Sequence, residues 1–85
     1  MPEVLMYCTE TCPFCQRALR LLEKKGVTPV RINVDDDPSK WEEMEKRTGR
    51  DTVPQIYIGE RHVGGFDDLV ELDMDDELDP LLGLA

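Results

Sequence analysis

Thr11-Cys12-Pro13-Phe14-Cys15 stands between residues 3–7, Glu3-Val4-Leu5-Met6-Tyr7, and a stretch in which Phe14, Ala18, Leu21, Leu22 and Lys25 recur at helical spacing. The first run shows no polar alternation, which predicts a central strand covered on both faces. In the second, Arg17, Arg20 and Lys24 fall on the outward side. Pro13 suits a first helical turn, where its missing N–H leaves no bond unmade, and Gly26 supplies a left-handed stop. The two thiols therefore open a helix that follows a strand, at positions i and i+3, with Cβ atoms about 5–6 Å apart. A modest adjustment brings them within disulfide reach, and Pro13 narrows the backbone's freedom between them. Unpaired N–H groups and positive potential at the helix start favour a thiolate, the nucleophile of disulfide exchange. Cys12, at the tip, is the predicted attacker and Cys15, one turn further in, the predicted resolving thiol. Phe14 is expected to give an apolar rim or a core contact.

Residues 29–34, Pro29-Val30-Arg31-Ile32-Asn33-Val34, alternate apolar and polar, as in a strand with one buried face, and this strand should lie nearer an edge than the first. Ser39 with Glu42 gives a capping-box signature for a second helix that ends at Gly49, with a thin apolar stripe of Trp41 and Met44. Val53-Pro54 leads into Gln55-Ile56-Tyr57-Ile58, and Gly59-Glu60 turns the chain into Arg61-His62-Val63, a hairpin. Gly64-Gly65 breaks it, and Asp67 or Asp68 is the predicted cap of a third helix through Leu69, Val70 and Leu72. Leu78, Leu81, Leu82 and Leu84 suggest a docking turn or a frayed tail.

The order β, α, β, α, β, β, α requires a parallel opening βαβ unit with a right-handed crossover and an antiparallel hairpin. The expected class is α/β, a mixed four-stranded sheet with helices packed on it. The length of 85 residues suits a single domain, 1–85, with one modest core.

The formal charge of −9 is unevenly placed. Residues 1–61 hold ten basic and eleven acidic side chains, whereas the residues after Arg61 hold eight acids and no base. Such a surface repels nucleic acid and anionic lipid, and both are discounted as partners; a solvated face that aids solubility is the simplest reading of it. No apolar run is long enough to span a membrane, and the first residues lack the features of a secretory signal, so a cytoplasmic location is expected. Three cysteines do not suit a secreted disulfide framework. In a reducing compartment a C-x-x-C pair is catalytic or metal-binding, and zinc would need two further ligands, for which only Cys8 and His62 are candidates. No metal is expected. Cys8, in phase with Val4 and Met6, reads as a small buried residue, and His62 as a surface residue without an evident partner.

These residues carry a resemblance over nearly the whole length. Tyr7 and Cys12-Pro13-Phe14-Cys15, then Thr52-Val53-Pro54, then Gly64-Gly65-Phe66-Asp67-Asp68 resemble the dithiol glutaredoxins in order and spacing. The resemblance implies the thioredoxin fold, a cis bond before Pro54, and glutathione as co-substrate with no tightly bound cofactor. It implies Cys12 and Cys15 as catalytic thiols, with Tyr7, Pro13 and Phe14 supporting them. Thr52, Val53, Pro54, Gly65, Asp67 and Asp68 would bind glutathione. Free N–H and C=O groups of Val53 can pair with its cysteinyl part as strands pair. Gly64-Gly65 allows close backbone approach, the helix start offers N–H groups to a carboxylate, and Asp68 can attract the γ-glutamyl ammonium. For Tyr7, packing alone would also explain an aromatic.

The implied activity is glutathione-dependent reduction of protein disulfides and glutathione mixed disulfides by a monomer, with disulfide-containing or glutathionylated proteins as partners. Two other activities share parts of the pattern. One is electron donation to ribonucleotide reductase with recycling by thioredoxin reductase, against which the Gly64–Asp68 element speaks. The other is iron–sulfur cluster carriage, against which Pro13 and Cys15 speak. Members often carry a lysine where this chain has Thr9, and Gln or Arg where it has Trp41. The glycine carboxylate of glutathione would then fall to Lys40 or Arg50.

Overall fold

The computed structural model describes residues 2–84; Met1 and Ala85, the two ends of the span expected to form one domain, lie outside the described residues. Strand β1 (Val4–Cys8) leads into helix α1 (Pro13–Lys24), and β2 (Val30–Asn33) returns beside it. Then follow α2 (Pro38–Thr48), β3 (Gln55–Ile58), β4 (Arg61–Gly64), α3 (Phe66–Met74) and α4 (Leu78–Leu81). The sheet order is β2-β1-β3-β4, with β1 parallel to β2 and antiparallel to β3, and β3 antiparallel to β4. This is the mixed four-stranded α/β sheet of the thioredoxin fold, and the unbroken apolar run of β1 lies inside it.

Alternation along β1 divides the core. Val4, Met6 and Cys8 pack with Cys15, Ala18 and Leu22 of α1, Leu69 of α3, and Leu78 and Leu82. Leu5 and Tyr7 face the other way, with Ile32, Val34, Trp41, Met44 and Tyr57. Each leucine buried in full contributes about 1.5–3 kcal/mol. Leu78 and Leu82 are both 0% exposed, so the stretch through Leu82 is a docked helical turn and not a frayed tail, whereas Leu84 is 43% exposed. Lys25, at the end of α1, holds Asp73 at 2.8 Å and Asp79 at 2.7 Å, tying α3 and α4 to it. Edge strand β2 is less covered than its pattern predicts: Val30 is 50% exposed, because the α2 side chains reach Ile32 and Val34 instead.

Two helix starts differ from the sequence reading. Asp37, and not Ser39, caps α2, its Oδ1 accepting the Ser39 N–H at 3.0 Å and the Lys40 N–H at 3.3 Å, with Pro38 in the first turn. For α3 the N-cap is Gly65, and Asp68 reaches back from the first turn to accept the Gly65 N–H at 2.9 Å. A glycine serves here because the carboxylate three residues on supplies the bond that a capping side chain would otherwise make. Within the hairpin, Tyr57 pairs with His62 but Ile56 with Gly64, so Val63 is an extra residue, a β-bulge next to the turn into α3.

Candidate functional site

The turn after β1 delivers Cys12 as the N-cap of α1, with extended backbone angles (φ −82°, ψ 114°). The turn is held from outside by the Glu10 N–H, which donates to Asp35 Oδ2 at 3.0 Å. The Cys15 N–H donates to Cys12 Sγ at 3.4 Å, so an orphan amide of the first helical turn is aimed at the sulfur. Across the site, the Cys12 thiol donates to the Val53 carbonyl oxygen at 3.7 Å. All three cysteines are free. Cys12 is half-buried and Cys15 only 3% exposed. Burial first, then the neighbouring Cys12 sulfur, pushes the Cys15 thiol up to about 12, against a lowering hydrogen bond from the Thr9 backbone. Cys8 lies in the same apolar cluster, and burial raises its thiol too.

A cleft of about 230 Å³ opens at Val53, the acceptor for the Cys12 thiol, and is lined by Phe14, Arg50, Thr52, Val53, Pro54, Gly65, Phe66, Asp67 and Asp68. The Val53–Pro54 peptide bond is cis. Phe14, 49% exposed, forms the rim, with its ring centroid 6.2 Å from that of Phe66 and the Arg17 guanidinium 5.4 Å above it. At the far end, Asp68 Oδ2 accepts the Gly65 N–H and, at 3.0 Å, Arg50 Nη1. The Gly65 N–H and then Arg50 hold that carboxyl below the usual carboxylate range. Gly64 has φ +114°, and a Cβ there would run into the Asp68 carboxylate, so the approach of β4 to this helix start requires glycine. A larger open groove of about 520 Å³ runs along α2 between Ser39, Glu42, Glu43, Lys46 and Arg47, and shares no lining residue with this cleft.

Ten of the expected site residues thus come together around the start of α1: Cys12, Pro13, Phe14 and Cys15 on the helix, and Thr52, Val53, Pro54, Gly65, Asp67 and Asp68 on or beside the cleft. Tyr7 does not join them. Its side chain is fully buried on the α2 face of the sheet, donating from its hydroxyl to Glu43 at 2.9 Å and accepting from Arg47 at 3.2 Å. Trp41 packs on that same face, and Lys40 lies 3.7 Å from Glu43, whereas Arg50 borders the cleft. His62 is not the unpartnered surface residue expected: its Nε2 is 2.8 Å from Gln55 Oε1, and its ring stacks on Tyr57 with centroids 5.0 Å apart. Burial holds its pKa below the usual histidine value. Phe66 and Gln55 were not singled out from the sequence. The adjacency of Phe66 to Gly65 in the matched block was the only signal for the first, and nothing local marked the second.

The glutaredoxin family model matches residues 4–63. Glutaredoxin 3 of Escherichia coli K12 is 52% identical over 82 residues, covering 96% of this chain and 99% of its own length. A glutaredoxin of Pseudomonas aeruginosa is 49% identical over 82 residues, covering 96% of this chain and 98% of its own. Among solved structures, the glutaredoxin of Brucella melitensis superposes with a TM-score of 0.87 at 44% identity, covering 99% of this chain and 91% of that one. The buckwheat glutaredoxin–glutathione complex gives 0.90 at 27% identity, covering 96% and 77%. With a C-x-x-C pair opening the first helix of a thioredoxin fold and these relatives matched along almost its whole length, the chain belongs to the glutaredoxin family, whose members are thiol–disulfide oxidoreductases.

Proposed function

We propose that this chain is a glutathione-dependent oxidoreductase that reduces protein disulfides and glutathione mixed disulfides, acting as a cytoplasmic monomer with residues 1–85 as one domain. The observation that carries the reading is the cleft that begins at Val53, beside the Cys12 sulfur, and ends at Asp68 and Arg50. A tripeptide with a thiol in its middle and charged ends has the length and polarity for such a cleft. Val53 would pair through its backbone with the cysteinyl residue. The Gly65 N–H is already taken by Asp68, so amides further into the α3 start, those of Asp67 and Asp68, would receive the γ-glutamyl carboxylate. Asp68 would draw the ammonium group. Arg50, bonded to Asp68, belongs to this end of the ligand and not to the glycine end.

In the reaction, the Cys12 thiolate attacks one sulfur of a glutathionylated protein, forming Cys12–S–S–glutathione and releasing the protein thiolate, which takes up a proton. A second glutathione thiolate then attacks the glutathione sulfur, giving glutathione disulfide and restoring Cys12. With a protein disulfide, Cys12 forms the mixed disulfide, Cys15 attacks the Cys12 sulfur, the second protein thiolate leaves, and two glutathiones reduce Cys12–Cys15. Burial and the neighbouring Cys12 sulfur both keep Cys15 protonated in the dithiol state. Tying Cys12 in a mixed disulfide removes the raising influence of its sulfur on Cys15, while burial still raises that thiol and the Thr9 backbone bond still lowers it.

The test is disulfide reduction fed either by glutathione with its reductase or by thioredoxin reductase. Turnover with the first supports the reading; turnover with the second alone refutes it.

A further inference from the structure

Gln55 is the buried polar side chain among the described residues, at 0% exposure, and each of its polar atoms is partnered. Its Nε2 donates to the Thr52 carbonyl oxygen at 2.9 Å and to Thr52 Oγ1 at 3.2 Å, while Oε1 meets His62 Nε2 at 2.8 Å. We propose that Gln55 and His62 are positioning residues that hold Thr52-Val53-Pro54 in register with the Cys12 thiol, and so set the affinity for glutathione. The proposal rests on the glutathione-dependent activity put forward above.

The loop before β3 lacks ladder bonds of its own, since residues 51–54 precede the first paired residue, Gln55. One side chain therefore does for Thr52 what a neighbouring strand would do, gripping both its carbonyl and its hydroxyl. The next carbonyl along, that of Val53, is the acceptor for Cys12. A displacement of Thr52 is passed to Val53 through a single peptide plane.

The amide's orientation is forced. The Thr52 carbonyl can only accept, so the Gln55 NH₂ must face it and Oε1 must face His62. His62 must then donate from Nε2, and a neutral ring does so as the Nε2–H tautomer. The hairpin sets this up: Tyr57 and His62 are directly opposed, which makes Gln55 the diagonal neighbour of His62 on the same face, and the stack on Tyr57 fixes the ring plane. Removing the donor leaves Oε1 buried and unpaired, and the amide is then pulled from Thr52 in search of a partner.

The test compares Gln55→Met, His62→Phe and His62→Gln with the wild type in glutathione-driven reduction of a glutathionylated peptide, with melting temperature measured for each. Phenylalanine keeps the stack on Tyr57 without the donor; glutamine restores an N–H at the Nε2 position. Gln55→Met and His62→Phe are expected to raise KM for glutathione about five- to tenfold with kcat within about twofold, and His62→Gln to recover most of the loss. Alkylation of Cys12 by iodoacetamide at fixed pH should rise a few-fold in Gln55→Met, because the displaced Val53 carbonyl no longer holds the sulfur. Unchanged KM in the folded variants, a parallel fall of kcat and folded fraction, or a His62→Gln no better than His62→Phe would overturn the proposal. A wild type without glutathione-dependent turnover would refute the activity instead, and an unchanged alkylation rate in Gln55→Met would then still dispose of the relay.

Discussion

The Sγ of Cys12 and the carbonyl oxygen of Val53 are joined as donor and acceptor at 3.7 Å, although 41 positions separate the two residues in sequence. In the reduced protein the thiol thus occupies a backbone group that an extended ligand would use. The Cys15 amide, 3.4 Å away, waits on the same sulfur for a negative charge.

Selective labelling follows from these contacts. At pH 7 a thiol pushed up to about 12 is ionised in roughly one molecule in 10⁵, and Cys8 is raised by burial as well. A short iodoacetamide pulse on the reduced protein should therefore label Cys12 first. Peptide mass spectrometry checks this, and first labelling at Cys15 or Cys8 would contradict the assignment of the nucleophile.

Replacing the second thiol should separate the two reactions. Under the proposed mechanism deglutathionylation would need Cys12 and glutathione alone, so Cys15→Ser is expected to retain most of it and to lose protein-disulfide reduction by about tenfold or more. Parallel assays on a glutathionylated peptide and on a disulfide protein decide it; equal loss in both would end the proposed division of labour.

Gly64 should be less replaceable than Gly26, the positive-φ glycine that follows α1. Gly64→Ala puts a Cβ against the Asp68 carboxylate, 2.9 Å from Arg50 Nη1, at φ +114°, and should cost about 1–3 kcal/mol. Gly26→Ala, at φ +81° with nothing within 4 Å, meets only the backbone preference, about 1 kcal/mol. Urea denaturation of both variants measures the difference, and the reverse order would show that the Asp68 side chain yields freely.

Two side chains make stability depend on pH in the same sense. His62 has its folded pKa below the ordinary 6.5, through burial and then Arg50, so the folded state binds fewer protons than the unfolded chain. Its stabilisation is complete above about pH 6.5 and is lost as pH falls through the lowered folded value. Asp68, lowered from 3.8 by the Gly65 N–H and Arg50, acts likewise but below about pH 4. His62→Phe should flatten the change in unfolding free energy between about pH 7 and pH 5, and Asp68→Asn the change below about pH 4. Denaturation series across these ranges measure both slopes.

How far the sequence could be read depended on whether the deciding partners were near in the chain. The βαβ unit, the hairpin and the start of α1 follow from patterns within a dozen residues, and β1 lies inside the sheet as its apolar run requires. The turn's composition points to an aspartate as the cap of α3, because Gly65 carries no capping group; only the fold turns Asp68 back onto the Gly65 amide. The partner of His62 depends on the register set by the bulge at Val63, which no local signal announces. Tyr7 illustrates parity: Cys8 falls on the α1 face, so its neighbour must point to the other one, and the aromatic that accompanies the motif in sequence is separated from it by the sheet.

The same division has an optical consequence. Trp41 is the chain's single tryptophan, and it packs with Tyr7, Val34, Met44 and Tyr57 on the far side of the sheet from Cys12 and Cys15. Its emission is therefore expected to follow the docking of α2 on that face, with Val53, which packs against both clusters and accepts from Cys12, linking that face to the sulfur.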